Sequence, residues 1–185
     1  APLAEMISQK YSVLEPIQTS DSMEGQVEEL RLLLEKQSPI ILIGFSWGAM
    51  LSYMLTARYP NLVRKLVMIS SGPLASQGWT GIMEKRLSRL SEDENKQFQS
   101  LYELLNDPEC SDKDKVFARL GKLMSKADSY DAVDSEEYLA SYHIFKSVWP
   151  QVDTFRSSGE LLKLRDKIEC PVLIFHGEYD SHPLE

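Results

Sequence analysis

Hydrophobic residues recur along the chain with two different periods, one typical of buried strands and the other of amphipathic helices. A continuous apolar run at Ile40–Phe45 and the apolar-rich segments 63–71 and 170–177 predict strands of a parallel sheet, the first of them buried on both faces. A shorter run at 11–17, broken by Pro16, predicts one more strand. Helical spacing of apolar residues predicts helices over 3–10, 24–36, 47–59 and 157–168. This alternation predicts an α/β fold with right-handed crossovers between parallel strands.

The middle of the chain follows only the helical period. Three pairs at capping-box spacing open its predicted helices: Ser91 with Glu94, Ser111 with Asp114, and Asp134 with Glu137. Pro150 is expected to end the last of them. The residues Tyr138, Tyr142, Phe145 and Trp149 form an aromatic stripe, expected to be mainly the core of this segment, with a minority facing a binding site. The pattern predicts a core at 1–73, a helical cap at 74–156 and the rest of the core at 157–185.

Composition and charge limit the partners, the location and the cofactors that are expected for this chain. The formal net charge of -8 argues against nucleic acid, and no apolar run approaches the ~20 residues of a membrane helix. The N-terminal residues lack the apolar stretch of a signal peptide. Cys110 and Cys170 are interpreted as free thiols of a reducing compartment, which favours a cytoplasmic location. With three histidines and no metal-like spacing, no metal or cofactor is expected.

Candidate chemistry lies where the first long apolar run ends, in the sequence GFSWG from Gly44 to Gly48. A serine between two glycines, after a buried strand and before a helix, is typical of a nucleophile on a sharp, strained turn. The glycines are expected to avoid collisions with neighbouring backbone. Ser46 is therefore the candidate nucleophile, and the backbone N–H of Trp47 is a candidate oxyanion donor. A structural turn that happens to hold a serine is the alternative.

The motifs GFSWGA, ARYPNLVRKLVMISSG and CPVLIFHGEYD together resemble the α/β-hydrolase fold family. The pairing of S-W-G with a helical insertion is similar to its prolyl aminopeptidase and small-ester hydrolase branches. The resemblance implies the chain order nucleophile, acid, histidine. It places the acid at Asp180, with Glu178 as a second choice. It also implies a strand between 11–17 and Ile40–Phe45 that this sequence does not supply.

The base is the part of the site that the sequence does not provide. The resemblance implies a histidine beyond Glu185 and a second oxyanion donor before Ala1, so the chain is expected to be truncated at both ends and not to be a competent catalyst. His176 is expected to be a packed residue and His143 a residue of the insertion. His182 would have to double back from Asp180 to act as a base.

These features predict a serine hydrolase acting on a small ester, thioester or amide, with a small-molecule substrate and an oligomeric state left open. Two alternatives share the same residues. One is a C–C bond hydrolase on the same fold, and the other is a binding protein that uses the capped pocket without turnover.

Overall fold

The sheet has three parallel strands in chain order. A computed structural model describes residues 2–76, 80–132 and 140–183. The strands are β1 (Ile40–Phe45), β2 (Val63–Ile69) and β3 (Val172–Phe175), and β2 lies between the other two. Ile69 is in register with both Phe45 and Phe175, so all three strands end at the same level. The residues that follow each strand are therefore brought to one edge of the sheet.

Eight helices accompany the sheet in the described residues. Their bounds are α1 Pro2–Ser8, α2 Met23–Leu34, α3 Trp47–Arg58, α4 Ile82–Ser88, α5 Glu92–Asn106, α6 Lys113–Asp128, α7 Tyr142–Ser157 and α8 Glu160–Lys163, with 3-10 turns at Pro60–Leu62 and Leu164–Lys167. The predicted alternation of strand and helix is confirmed. Within the described ranges, no helix has both the length and the apolar character needed to cross a membrane.

Helix α3 is the centre of the main core. Every residue from Ala49 to Ala57 is buried, because the helix packs on β1 and β2 from one side and is covered by α2 from the other. Val148 and Val152 of α7 and Leu161 of α8 belong to the same cluster of buried residues. A helix surrounded in this way is hydrophobic on all its faces, which explains its weak amphipathic pattern.

The described part of the middle segment is helical, without a strand, as predicted. A second, smaller cluster of buried residues, Leu90, Leu123 and Ala127, joins α6 to the residues after α4. Helix α7, by contrast, packs into the main core through Val148 and Val152. The boundaries proposed at 74 and 156 remain a prediction, since buried contacts cross the second of them.

Two details of the middle segment differ from prediction. Ser91 and Glu94 form both halves of the expected capping box, but α6 is capped by Asp112, one residue after the predicted Ser111. The third pair, Asp134 with Glu137, and also Tyr138 lie outside the described residues.

The prediction that Pro150 ends its helix is wrong. The residue lies inside α7. Proline leaves the carbonyl of Lys146 without its helical donor. Both Pro150 and Lys146 are on the exposed face, where water can satisfy that carbonyl. Burial of Val148 and Val152 on the opposite face holds the helix together.

Two predictions about strands are wrong. Residues 11–17 form no strand, because no neighbouring strand among the described residues offers them backbone partners. The prediction that β1 is buried on both faces is wrong as well, because Phe45 of β1 is 65% exposed, and Ile174 of β3 is likewise 60% exposed. In the described part of the chain, helix α3 covers one face of β1, and Ile41, Ile43 and Phe45 point to the other face.

Candidate active site

Ser46 occupies the turn between β1 and α3, as predicted. Its backbone has φ 52° and ψ −117°, a combination that L-residues rarely adopt. The turn is held by hydrogen bonds from the Ser46 N–H to the Ile69 carbonyl at 3.0 Å and from the Ala49 N–H to the Ser46 carbonyl at 3.1 Å. Strain of this kind persists only where the surroundings over-determine the conformation, and it is concentrated at functional sites.

The two glycines beside Ser46 have different roles. A Cβ atom on Gly44 would lie 2.3 Å from the carbonyl oxygen of Gly48, a distance that no real contact allows. A Cβ atom on Gly48 would meet no described atom within 4 Å. The predicted need for glycine is thus confirmed at Gly44, whereas at Gly48 it is wrong. Gly44 lets β1 approach the first turn of α3 closely.

The surroundings of the Ser46 hydroxyl could stabilise an oxyanion. The side chain is exposed and does not cap α3. The backbone N–H of Trp47 has no acceptor among the described residues, because it belongs to the first turn of the helix. The positive end of the α3 dipole lies at the same place. An oxyanion formed at Ser46 would therefore have a donor and a favourable field close to it.

The Trp47 side chain is anchored to helix α2. Its Nε1–H donates to Gln26 Oε1 at 2.8 Å, and Gln26 Nε2 donates in turn to the Ser20 carbonyl at 2.9 Å. Gln26 is buried, so both of its polar ends need these partners. No pattern in the sequence predicts this pair, because the two residues are 21 positions apart. The hydrogen bond to Gln26 holds Trp47 in place, and the backbone N–H of Trp47 is the candidate oxyanion donor.

Asp180 follows β3 and lies at the same sheet edge as Ser46, with the end of β2 between them. Its carboxylate is 9% exposed. Oδ1 accepts from the backbone N–H of His182 at 3.0 Å and lies 2.8 Å from His182 Nδ1. Burial alone would raise the pKa of the Asp180 carboxyl, but the side chain and backbone of His182, helped by Ser70, hold that pKa well below its usual range. Glu178, the second choice, is exposed.

The three histidines are placed differently from one another. His182 does double back onto Asp180, yet its Nε2 faces Arg86 Nη2 at 3.3 Å. His176 donates through Nε2 to the His182 carbonyl at 2.8 Å, which agrees with its prediction as a packed residue. His143 is largely exposed and lies 3.8 Å from Asp21. Of these side chains, His182 is the one that contacts the candidate acid closely.

An open groove of about 970 Å³ begins beside Trp47 and runs between α6 and α7. Its apolar wall contains Trp47, Ile144, Phe145, Val148 and Trp149. The Trp149 ring lies 5.9 Å from that of Trp47 and 5.7 Å from that of Phe145. Two of the predicted stripe residues therefore line the groove, while Tyr142 packs on Phe117 at 5.7 Å. The sequence predicted a role for a minority of the stripe without indicating which residues.

Known proteins resemble the chain at the level of the family and the fold. A model of the family described as the alpha/beta hydrolase fold matches residues 9–181. No curated protein matches the chain. Among solved structures, a Nostoc sp PCC 7120 protein assigned to the α/β hydrolases has 14% identity and a TM-score of 0.46, covering 92% of this chain and 61% of its own.

Two further structures are similar. The thioesterase domain of the curacin biosynthetic pathway has 14% identity and a TM-score of 0.44, with 91% of this chain and 61% of that domain covered. A carboxylesterase structure from the Thaumarchaeon Nitrososphaera gargenis has 19% identity and a TM-score of 0.41, with 85% and 54% covered. The chain thus spans between half and two thirds of the length of these proteins. The narrower resemblance to prolyl aminopeptidases is not supported by these comparisons.

Proposed function

The chain belongs to the α/β hydrolase fold family, and on that premise we propose that it is a serine hydrolase for a small ester, thioester or amide. The observation that carries the proposal is the strained turn at Ser46, whose hydroxyl is exposed and makes no capping bond to the helix behind it. A serine that served only the turn would need neither this backbone conformation nor the free N–H of Trp47 beside it.

The proposed reaction begins with attack of Ser46 Oγ on the substrate carbonyl carbon. The hydroxyl proton passes to a base, and the carbonyl oxygen becomes an oxyanion that accepts a hydrogen bond from the Trp47 N–H. Collapse of this intermediate breaks the bond to the alcohol, thiol or amine, which leaves with a proton. Water then attacks the carbonyl carbon of the acyl group on Ser46 and gives a proton to the base. Collapse of this second intermediate breaks the bond to Ser46 Oγ, which takes the proton back, and the acid is released.

Asp180 is proposed as the acid that orients the base and stabilises its protonated form. Its burial and its lowered pKa support the role, because both keep a charged carboxylate fixed at the sheet edge. His182 already contacts Asp180, but Arg86 occupies the nitrogen that would have to accept the Ser46 proton. We therefore propose that the base is a histidine other than the three in this sequence.

The groove beside Trp47 is proposed to hold the apolar part of the substrate. Phe145 and Trp149 provide flat apolar surfaces, and the Trp47 ring joins this wall to the residue next to the nucleophile. Pockets that bind small molecules are typically lined by such side chains, with few polar groups. An acyl group with an aromatic or alkyl chain is the substrate class that this wall favours.

The proposal is tested by labelling with an alkyl fluorophosphonate, followed by peptide mass spectrometry. Because a general base contributes about 10²–10⁴-fold to rate, labelling is followed for hours at pH 7.5 and 9.5. We expect the adduct on Ser46 and its loss in Ser46→Ala. Ser100→Ala is the control, since Ser100 is an exposed serine of α5 that lies outside the turn and makes no contact with Asp180. An unlabelled Ser46 would contradict the proposal and favour a binding protein.

A further inference from the structure

Two cationic side chains, one from helix α4 and one from the residue that follows it, contact the loop that carries Asp180. Lys85 Nζ of α4 donates to the backbone carbonyl of Asp180 at 2.7 Å. Arg89, the residue after α4, donates through Nη1 to Ser181 Oγ at 3.0 Å, and its guanidinium lies 3.7 Å from the centre of the Tyr179 ring. Three consecutive residues of the loop are thus held by one short stretch of the middle segment.

A third cation of the same stretch, Arg86 of α4, reaches the ring of His182. Its guanidinium is fixed by Asp128 of α6, with Nη2 at 2.6 Å from Oδ2 and Nε at 2.8 Å from Oδ1. The same Nη2 lies 3.3 Å from His182 Nε2. Arginine has donors and no acceptor, so His182 Nε2 must be the acceptor of this contact. The ring proton is then on Nδ1, which donates to Asp180 Oδ1.

We propose that Arg86 is a positioning residue for Asp180, acting by fixing the ring of His182 and holding its Nδ1–H on the carboxylate. The guanidinium can donate to Nε2 only in the tautomer that carries the proton on Nδ1, so this contact selects the donor that Asp180 receives. This inference rests on the proposed function for the catalytic meaning of Asp180. The charged or titratable groups around the His182 ring and its loop are Asp180, His176, Lys85, Arg86, Arg89 and Asp128.

The contact fixes the orientation of the Asp180 carboxylate. His182 places two donors on Oδ1, its backbone N–H and its Nδ1–H. Two bonds to one oxygen fix the rotation of the carboxylate, and the Ser70 side chain also hydrogen-bonds to it. Nε2 of His176 lies 3.9 Å from Oδ2, which is beyond hydrogen-bond distance.

The test is ¹⁵N NMR of the histidine rings at pH 6.5, with His182 assigned from His182→Gln. In the wild-type chain we expect Nε2 of His182 to show the shift of an unprotonated acceptor nitrogen. Arg86→Met removes the donor to Nε2, so the Nε2 signal should shift toward that of a nitrogen without a hydrogen bond, and the tautomer with its proton on Nδ1 should lose population to the other. Arg86→Lys keeps a cationic donor and should shift the signal back, whereas Arg64→Met, at an exposed arginine of β2, should leave it unchanged.

Identical His182 signals in wild type and Arg86→Met would overturn the inference. If Arg86→Met fails to fold by circular dichroism, Asp128→Asn serves instead, because it loosens the arginine without removing its charge. That variant should change the His182 signals in the same direction, and unchanged signals again overturn the inference. A change at His182 without fluorophosphonate labelling of Ser46 would support the assignment of Arg86 and contradict only the proposed function.

Discussion

Replacing Ser46 by glycine should stabilise the protein relative to replacing it by alanine. Alanine keeps a Cβ atom in the positive-φ conformation, whereas glycine adopts that conformation without steric cost. Backbone strain of this kind costs about 1–3 kcal/mol. Glycine also loses more conformational entropy than alanine on folding, which reduces the stabilisation from relieved strain by about 0.5–1 kcal/mol. Taking the middle of each range, the expected difference in the free energy of unfolding is about 1 kcal/mol in favour of glycine.

Thermal unfolding followed by circular dichroism measures this difference. For a chain of this size, 1 kcal/mol shifts Tm by about 2–4 °C, so Ser46→Gly should unfold about 2–4 °C above Ser46→Ala. Neither variant has the hydroxyl, and both should fail to react with a fluorophosphonate. A Ser46→Gly variant that unfolds at or below the temperature of Ser46→Ala would refute the claim that the turn is strained.

Three further predictions concern the same region and its surroundings. Gly44→Ala should lower Tm much more than Gly48→Ala, because only the first Cβ meets backbone at 2.3 Å, and a similar loss in both would contradict the steric argument. Asp180 has a lowered pKa in the folded protein, so its contribution to stability is present above the unfolded value of about 3.9 and is lost as pH falls through the folded value. Asp180→Asn should accordingly destabilise the protein at pH 7 and much less at strongly acid pH in urea titrations. Burial raises the pKa of Tyr53 to about 12, so stability should decline between about pH 10 and pH 12, and Tyr53→Phe should weaken that decline.

Local patterns were sufficient to predict the strained turn at Ser46. An apolar run that meets Gly44 and Ser46 before a helix determines its own geometry, because the turn depends on neighbours in sequence. The capping box at Ser91 was predicted for the same reason, since both of its residues lie within one turn of helix. Features whose cause lies within a few residues could thus be read from the chain.

Features that depend on distant partners could not be predicted. Arg86 meets His182 across 96 positions, and a lone arginine on a short helix is ordinarily solvated. Residues 11–17 have a strand-like composition, but a strand exists only where another offers hydrogen bonds. Pro150 has the usual signal for a helix end, and the burial of Val148 and Val152 on the other face overrides it.

The contact between Trp47 and Trp149 also has an optical consequence. Their rings lie 5.9 Å apart at an interplanar angle of 65°, close enough for the electronic transitions of the two indoles to couple. Coupled transitions at such an angle produce paired bands of opposite sign in the far-ultraviolet circular dichroism spectrum. Any ligand that separates the rings would reduce both bands together, so occupancy of the groove can be followed without a dye, a radioactive tracer or turnover.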